Sequence, residues 1–332
     1  MSQVSAKAAP MQSQMTASAD ALEQLMQTDT KIVVMTADLV SSCKLSNIEH
    51  RFPERFINVG IAEQNMVSIA AGLAKEGMKP FVHTFSVFAS LRACEQIRTD
   101  VFYNDMNVKI VGTHGGMSTG AAGPTHYSLE DIGVVSAMPG SVVIVPADGP
   151  STAAFIRKLA VTEGPAYIRL DRNPLANLYV EDCEMAVGVG NVLAQGKGIV
   201  VIAIGAAVSE ALLARRCLME TTGITITVVD MPTIKPFDQA LLQQLSQQHS
   251  RCITVEEHNL YGGLGSAVGL TIAQLGLNMR LKCLAIPDCY PRGNPPSRNR
   301  ELYGLDCKGI IKAVEEVANI SNFGLSYDSQ KI

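Results

Sequence analysis

The chain has 332 residues, 27 Lys and Arg against 31 Asp and Glu, a formal net charge of −4, and 47% hydrophobic and 17% charged residues. That is too apolar for a disordered chain and long enough for two domains at roughly 100–200 residues each, and it offers no clustered cations for a nucleic-acid backbone. Aromatics are 5% and Trp is absent, which leaves little to stack on single-stranded bases.

Residues 1–20 are rich in Ala, Ser, Gln and Met without a continuous apolar core, and read as a flexible leader rather than a secretory signal. The eight cysteines are scattered, with no C-x-x-C or His/Cys cluster. They predict reduced thiols in a cytoplasmic protein rather than a zinc site. The most apolar run, Ile199 to Val208, is too short to span a bilayer.

Short β-branched runs alternate with longer helical patterns, which predicts parallel βαβ units. Lys31 to Thr36 is the first strand, and Ala62 to Glu76 reads as a buried helix stopped at Gly77. Pro80 to Phe85 is a strand, Val87 to Phe102 a helix, and Val108 to Val111 a strand leading into a Gly-rich loop from Gly112 to Gly123. A short helix from Ser128 to Met138, with Ser128 as its cap, precedes a strand at Ser141 to Val145. A helix near Ser151 to Thr162 and a strand at Ala166 to Leu170 complete a first domain over residues 21–172.

Residues 173–198, with Pro174, Gly188, Gly190, Gly196 and Gly198, read as a linker. A second alternation fills residues 199–320. Its strands are Ile199 to Ile204, Ile224 to Val229, Cys252 to Glu256 and Leu281 to Ile286. Its helices end at Thr222 or cover Asp238 to Gln247, Gly262 to Leu275 and Cys307 to Val317, and residues 321–332 form a tail. The fold class is α/β: two tandem doubly wound domains, with ligands expected at the carboxyl ends of the strands.

Four segments stand out as chemistry. The loop Gly112-Thr-His-Gly-Gly-Met-Ser-Thr-Gly-Ala-Ala-Gly-Pro-Thr-His126 lacks both the G-x-G-x-x-G spacing and the Gly-Lys-Ser/Thr of a phosphate loop. Its glycines permit close backbone approach, and His114 and His126 suit hydrogen bonding or proton movement; a long turn with surface histidines stands equally open. Asn58-Val-Gly-Ile-Ala-Glu-Gln-Asn-Met66 puts Glu63 at a helix start, where a dipole-stabilising carboxylate is the commoner reading and a carboxylate beside a ligand nitrogen the sharper one. Phe85 and Phe88 at a strand end normally mean core packing. Gly262-Gly-Leu-Gly265 reads as a tight strand–helix turn in preference to an anion site.

Together these segments resemble the C-terminal half of the transketolases from about Asp20 to Ala318. The resemblance rests, in order, on Thr36-Ala-Asp38, the stretch from Phe56 to Met66, Thr84-Phe85 with Phe88, Gly112-Thr-His114, Gly123-Pro-Thr-His126, Tyr167-Ile-Arg-Leu and the stretch from Glu256 to Ala267. The Gly-Ile-Ala-Glu-Gln-Asn-Met run carries most of the specificity. Full-length transketolases begin with a domain that binds the diphosphate of thiamine diphosphate through Gly-Asp-Gly and Mg²⁺, and no Gly-Asp-Gly occurs here. The resemblance therefore implies the pyrimidine-binding and C-terminal subunit of a split transketolase, in which the partner chain ligates Mg²⁺ (or Ca²⁺) and the assembly is α2β2.

The same resemblance assigns roles. Glu63 would hydrogen-bond N1′ of the aminopyrimidine and favour the tautomer that deprotonates the thiazolium carbon. Phe85 and Phe88 would wall the pyrimidine, Leu39 and Ile61 keep the cofactor bent, and Asp38 support the site at the chain interface. Ser42, His114 and Arg172 match positions that hold the sugar phosphate. His126 matches one near the reacting carbonyl, and Gln96 is a weaker match in the same pocket. The C-terminal domain receives no catalytic role, only assembly. Two departures are informative: an acidic pair whose Asp reads substrate hydroxyls is replaced by Ala121 and Ala122, and a phosphate-clamping Arg is missing around Met15 to Ala17. They point to a modified or branched ketose phosphate, of the apulose 4-phosphate type. The alternatives are the β subunit of a 2-oxo-acid dehydrogenase and a non-catalytic interaction subunit.

Overall fold

The structure is a computed structural model that describes residues 10–319. Strand Ile32–Thr36 sends Ile32 and Val34 into one apolar cluster and Val33 and Met35 into another. A strand buried on both faces is what a parallel sheet covered by helices requires. The first sheet runs, edge to edge, Thr233–Lys235, Val143–Ile144, Ala166–Arg169, Lys109–Thr113, Lys79–Phe85, Ile32–Thr36 and Phe56–Asn58. All its pairs are parallel except the first, an antiparallel strand lent by the C-terminal half.

The second sheet orders Arg280–Ile286, His249–Asn259, Gly198–Ala203, Thr227–Asp230 and Asn191–Ala194, with only Asn191–Ala194 antiparallel to its neighbour. Both apolar clusters continue into this half, through Val201 and Ile253 in one and Val200 and Ile202 in the other. The two domains therefore share packed cores. Among the described residues, no helix is long and apolar enough to cross a membrane, and the eight cysteines are free thiols.

Several expectations change. Within the expected leader, Met11–Ser13 pairs antiparallel with Pro174–Ala176, and the helix Gln14–Met26 buries Met15, Ala19 and Leu22. Its Gln14 donates to the Pro146 carbonyl at 2.8 Å, so this segment is part of the first domain; residues 1–9 and the tail 321–332 lie outside the described residues. The expected linker contributes strands at both ends, Pro174–Ala176 and Asn191–Ala194. Its middle is tied down by Asp148, whose carboxylate accepts the N–H groups of Leu178 and Tyr179 at 2.6 and 2.8 Å. Ser128 caps no helix: the helix begins at Asp131, and Ser128 instead bridges backbone to backbone with Gly116.

The helix expected over Val87 to Phe102 is broken into Phe88–Arg92, Cys94–Gln96 and Ile97–Phe102, the outer two widened to π geometry. The Ala93 N–H reaches the Phe88 carbonyl at 3.1 Å, a five-residue span. Such π turns accommodate an extra residue and cluster at functional sites.

Candidate active site

The loops after the sheet strands converge at the carboxyl ends of those strands. After Ile32–Thr36 the chain turns through Asp38, whose N–H donates to Asn58 Oδ1 at 3.0 Å, and the same oxygen accepts Gly60 N–H at 3.1 Å. One side chain thus fixes two adjacent loops. Between them Ala37, Asp38, Leu39, Ile61, Glu63, Phe88 and Arg92 line a cleft of about 250 Å³.

Glu63 opens the helix Glu63–Lys75 and is 2% exposed. Arg92 Nη1 donates to both of its carboxylate oxygens, at 2.9 and 3.0 Å. The same guanidinium lies 4.1 Å from the centre of the Phe88 ring. Phe85 stacks on Phe88 with centroids 5.5 Å apart and on His114 at 3.9 Å. His126 meets Phe88 edge-on at 5.6 Å. Segments far apart in sequence therefore bring Glu63, Phe85, Phe88, His114 and His126 into one cluster.

His114 is buried, and its Nδ1 sits 3.0 Å from Thr113 Oγ1. Burial first, then the positive charges of Arg172, His126 and Lys44, push its pKa down to about 4. The ring is neutral at physiological pH, so it can offer hydrogen bonds but no positive charge. Arg172 is exposed and donates to the Thr119 carbonyl at 3.3 Å. Ser42 is half-buried in the turn beside Cys43, whose Sγ lies 3.6 Å from Thr113 Oγ1. Ser42 and Arg172 thus both flank the His114 segment. Gln96 turns aside to Glu95, its amide donating at 3.1 Å.

Among the described residues, four non-glycine residues have positive φ, and three of them are Asp38 at 59°, Lys44 at 63° and His114 at 59°. L-residues adopt this conformation at a cost, and such strain gathers where function holds the backbone. At the positions of the two departures, Met15 is buried, while Ala121 and Ala122 are exposed. The C-terminal domain reaches this edge as well, because a Cβ on Gly293 would lie 2.9 Å from the Ala121 carbonyl oxygen.

At Gly262–Gly265 the chain supplies its own acceptor. Glu256 accepts the N–H groups of Leu264 and Gly265 at 2.7 and 2.8 Å and so caps the helix Leu264–Leu275. Next to it, Glu257 reaches into the other domain and accepts the Met117 N–H of the Gly-rich loop at 3.2 Å. Among the described residues, no group of three His, Cys, Asp or Glu side chains is arranged to hold a metal.

Three participants carried little or no signal in the sequence. Arg92 lies one helical turn after Phe88, and that spacing was its sole clue; Lys44 had none, and Glu257 lay within the motif from Glu256 to Ala267 but received no site role.

Residues 11–177 match the family described as transketolase, pyrimidine binding domain, and residues 188–310 match transketolase, C-terminal domain. This chain belongs to the transketolase family. A Methanocaldococcus jannaschii protein described as a putative transketolase C-terminal section is 41% identical over 86% of this chain and 90% of its own length. The 6-deoxy-6-sulfo-D-fructose transketolase subunit SqwH of Clostridium sp. strain MSTE9 is 34% identical over 92% of this chain and 94% of its own. One of the subunits of the apulose-4-phosphate transketolase of Phocaeicola vulgatus is 37% identical, covering 90% of this chain and 95% of its own. Among solved structures, a split gene transketolase described as an inactive β4 tetramer superposes with a TM-score of 0.84 at 38% identity, over 93% of this chain and 99% of that one. The transketolase family is thiamine diphosphate dependent, and the cleft fits the pyrimidine end of that cofactor: a buried carboxylate at one side, an aromatic floor and an apolar rim.

Proposed function

We propose that this chain is the pyrimidine-binding subunit of a two-chain transketolase that moves a two-carbon ketol unit between sugar phosphates, with a modified ketose phosphate as donor. The observation that carries this reading is Glu63, a carboxylate buried at the wall of a cleft floored by Phe88 and adjoined by His114 and His126. Thiamine diphosphate supplies the electron sink for the cleaved two-carbon unit. Glu63 holds the proton at pyrimidine N1′. Phe85 and Phe88 wall the ring, Leu39 and Ile61 shape the opposite rim, and Asp38 holds the turn that bears Leu39.

On the substrate side, Arg172 and Ser42 grip the phosphate beside the neutral His114 ring, and His126 orients the reacting hydroxyl. Ala121 and Ala122 leave the middle of the sugar unread, and buried Met15 supplies no clamp. Relatives named for a sulfo-sugar and for apulose 4-phosphate support a ketose modified away from the reacting end. The dehydrogenase and non-catalytic alternatives draw no comparable support.

The diphosphate and its Mg²⁺ are held by a partner chain in an α2β2 assembly. The sequence has no Gly-Asp-Gly. Ile61 at 77% and Leu91 at 50% exposure leave apolar surface beside the cleft for such a partner. The solved relative described as an inactive β4 tetramer fits the same picture. Free thiols suit the reducing cytoplasm. The test is reconstitution: purified alone, the chain neither binds thiamine diphosphate nor transfers ketol units, and mixed with the Gly-Asp-Gly chain it does both. Full activity from the single chain overturns the reading.

A further inference from the structure

The buried Glu63 carboxylate already has a cation as its partner. Arg92 satisfies both carboxylate oxygens with one guanidinium, at 2.9 and 3.0 Å, and covers the Phe88 ring at 4.1 Å. Those are the two contacts an aminopyrimidine needs: a hydrogen bond to the carboxylate and a face to stack on. An ionised carboxylate that is 2% exposed is costly to leave unpaired, so Glu63 needs a partner before the cofactor arrives as well as after. Arginine suits the post because its planar guanidinium can donate to a carboxylate from one nitrogen and stack on an aromatic ring at once.

We propose that Arg92 is the placeholder of the pyrimidine seat: it pairs with Glu63 and covers Phe88 until the cofactor enters, and then swings out of the seat. The inference rests on the functional reading above. The side chain is already 46% exposed, against 2% for its partner. It can therefore leave without opening the core, whereas Glu63 cannot. It also belongs to the π-widened turn Phe88–Arg92, whose two end residues both line the cleft. Nothing need unfold for the exchange. The ring and Arg92 compete for the same carboxylate and the same aromatic face, so the apparent affinity for cofactor falls by the fraction of time the seat is open.

The experiment measures binding and not turnover. The chain, reconstituted with its Gly-Asp-Gly partner, is titrated with thiamine diphosphate and Mg²⁺ by calorimetry, as wild type, Arg92→Met and Arg92→Lys. If the wild-type seat is open a tenth of the time, Arg92→Met binds about tenfold more tightly. Arg92→Lys, which keeps the charge but loses the planar group that covers Phe88, shifts in the same direction by less, and it carries the test if the Met variant does not fold. The isolated Arg92→Met chain melts below wild type, because Glu63 has lost its partner. Weaker or unchanged cofactor binding in both variants overturns the placeholder while leaving the functional reading intact. A wild-type complex that binds no thiamine diphosphate overturns both.

Discussion

Glu257, in the C-terminal domain, accepts the backbone N–H of Met117 in the Gly-rich loop of the other domain at 3.2 Å. Its second oxygen takes Arg300 Nη1 at 2.7 Å, and its backbone carbonyl takes Arg169 Nη2 at 2.6 Å. Arg169 packs under Gly115 and Gly116, where a Cβ would collide with its side chain. The C-terminal domain therefore does more than assemble the protein; it holds the loop that presents His114.

Glu257→Ala strands the Met117 N–H and leaves Arg300 with only its longer ion pair to Glu210 at 3.9 Å, and it lowers stability by about 1–3 kcal/mol, the usual cost of an unsatisfied buried partner. Calorimetric melting checks this. Steady-state kinetics of the reconstituted enzyme should show KM for the sugar phosphate rising while thiamine diphosphate affinity holds. Equal loss of both would place Glu257 outside the loop's support.

Replacing Glu63 with Gln lowers kcat by about 10²-fold or more, within the range for acid–base groups. The chain still folds, because the helix-start contribution is only about 0.3–1 kcal/mol and Arg92 is free to rehydrate. Circular dichroism alongside single-turnover rates separates the two effects. An unfolded variant whose folded fraction keeps normal turnover would make Glu63 a purely structural residue.

For substrate choice, a site built to hydrogen-bond a hydroxyl discriminates strongly, and the Ala122 methyl makes no such bond. The wild type should prefer branched, deoxy or sulfo-substituted ketose phosphates over xylulose 5-phosphate in kcat/KM. Ala122→Asp should shift the ranking toward xylulose 5-phosphate. A wild-type preference for xylulose 5-phosphate, unmoved by Asp at 122, refutes the modified-sugar donor.

The domain junction predicts a pH dependence. Burial, with a smaller push from Asp148, raises the Asp230 carboxyl from 3.8 to about 7, although the Tyr179 hydroxyl donates to it at 2.7 Å. Between about pH 4 and 7 the folded chain keeps a proton that the unfolded chain releases, so this group's contribution to stability declines as pH rises through that window. Asp230→Asn keeps an acceptor for Tyr179 and carries no charge. The variant's melting temperature should gain on wild type from pH 4 to pH 8, by the equivalent of about 4 kcal/mol. A constant gap across the range would show that Asp230 ionises freely.

Much of this protein was legible without coordinates. Hydrophobic runs such as Ile32–Thr36 and Gly198–Ala203 are long, β-branched and bounded by turns, and local patterning of that kind survives folding unchanged. The motif from Phe56 to Met66 marked Glu63 only through its resemblance to the transketolases, since its residue types alone read as an ordinary helix start. What the tertiary structure decided was the pairing of distant polar groups. The sequence cannot show that Arg92 meets Glu63 across 29 positions, or that Glu257 reaches Met117 across 140. Nor does it show that Met11–Ser13 is a strand: a three-residue segment has no periodicity to read, and its order comes wholly from pairing with Pro174–Ala176. Burial makes each of these contacts specific, because a polar group removed from water must find a partner, and which partner is within reach depends on the packing of the whole chain.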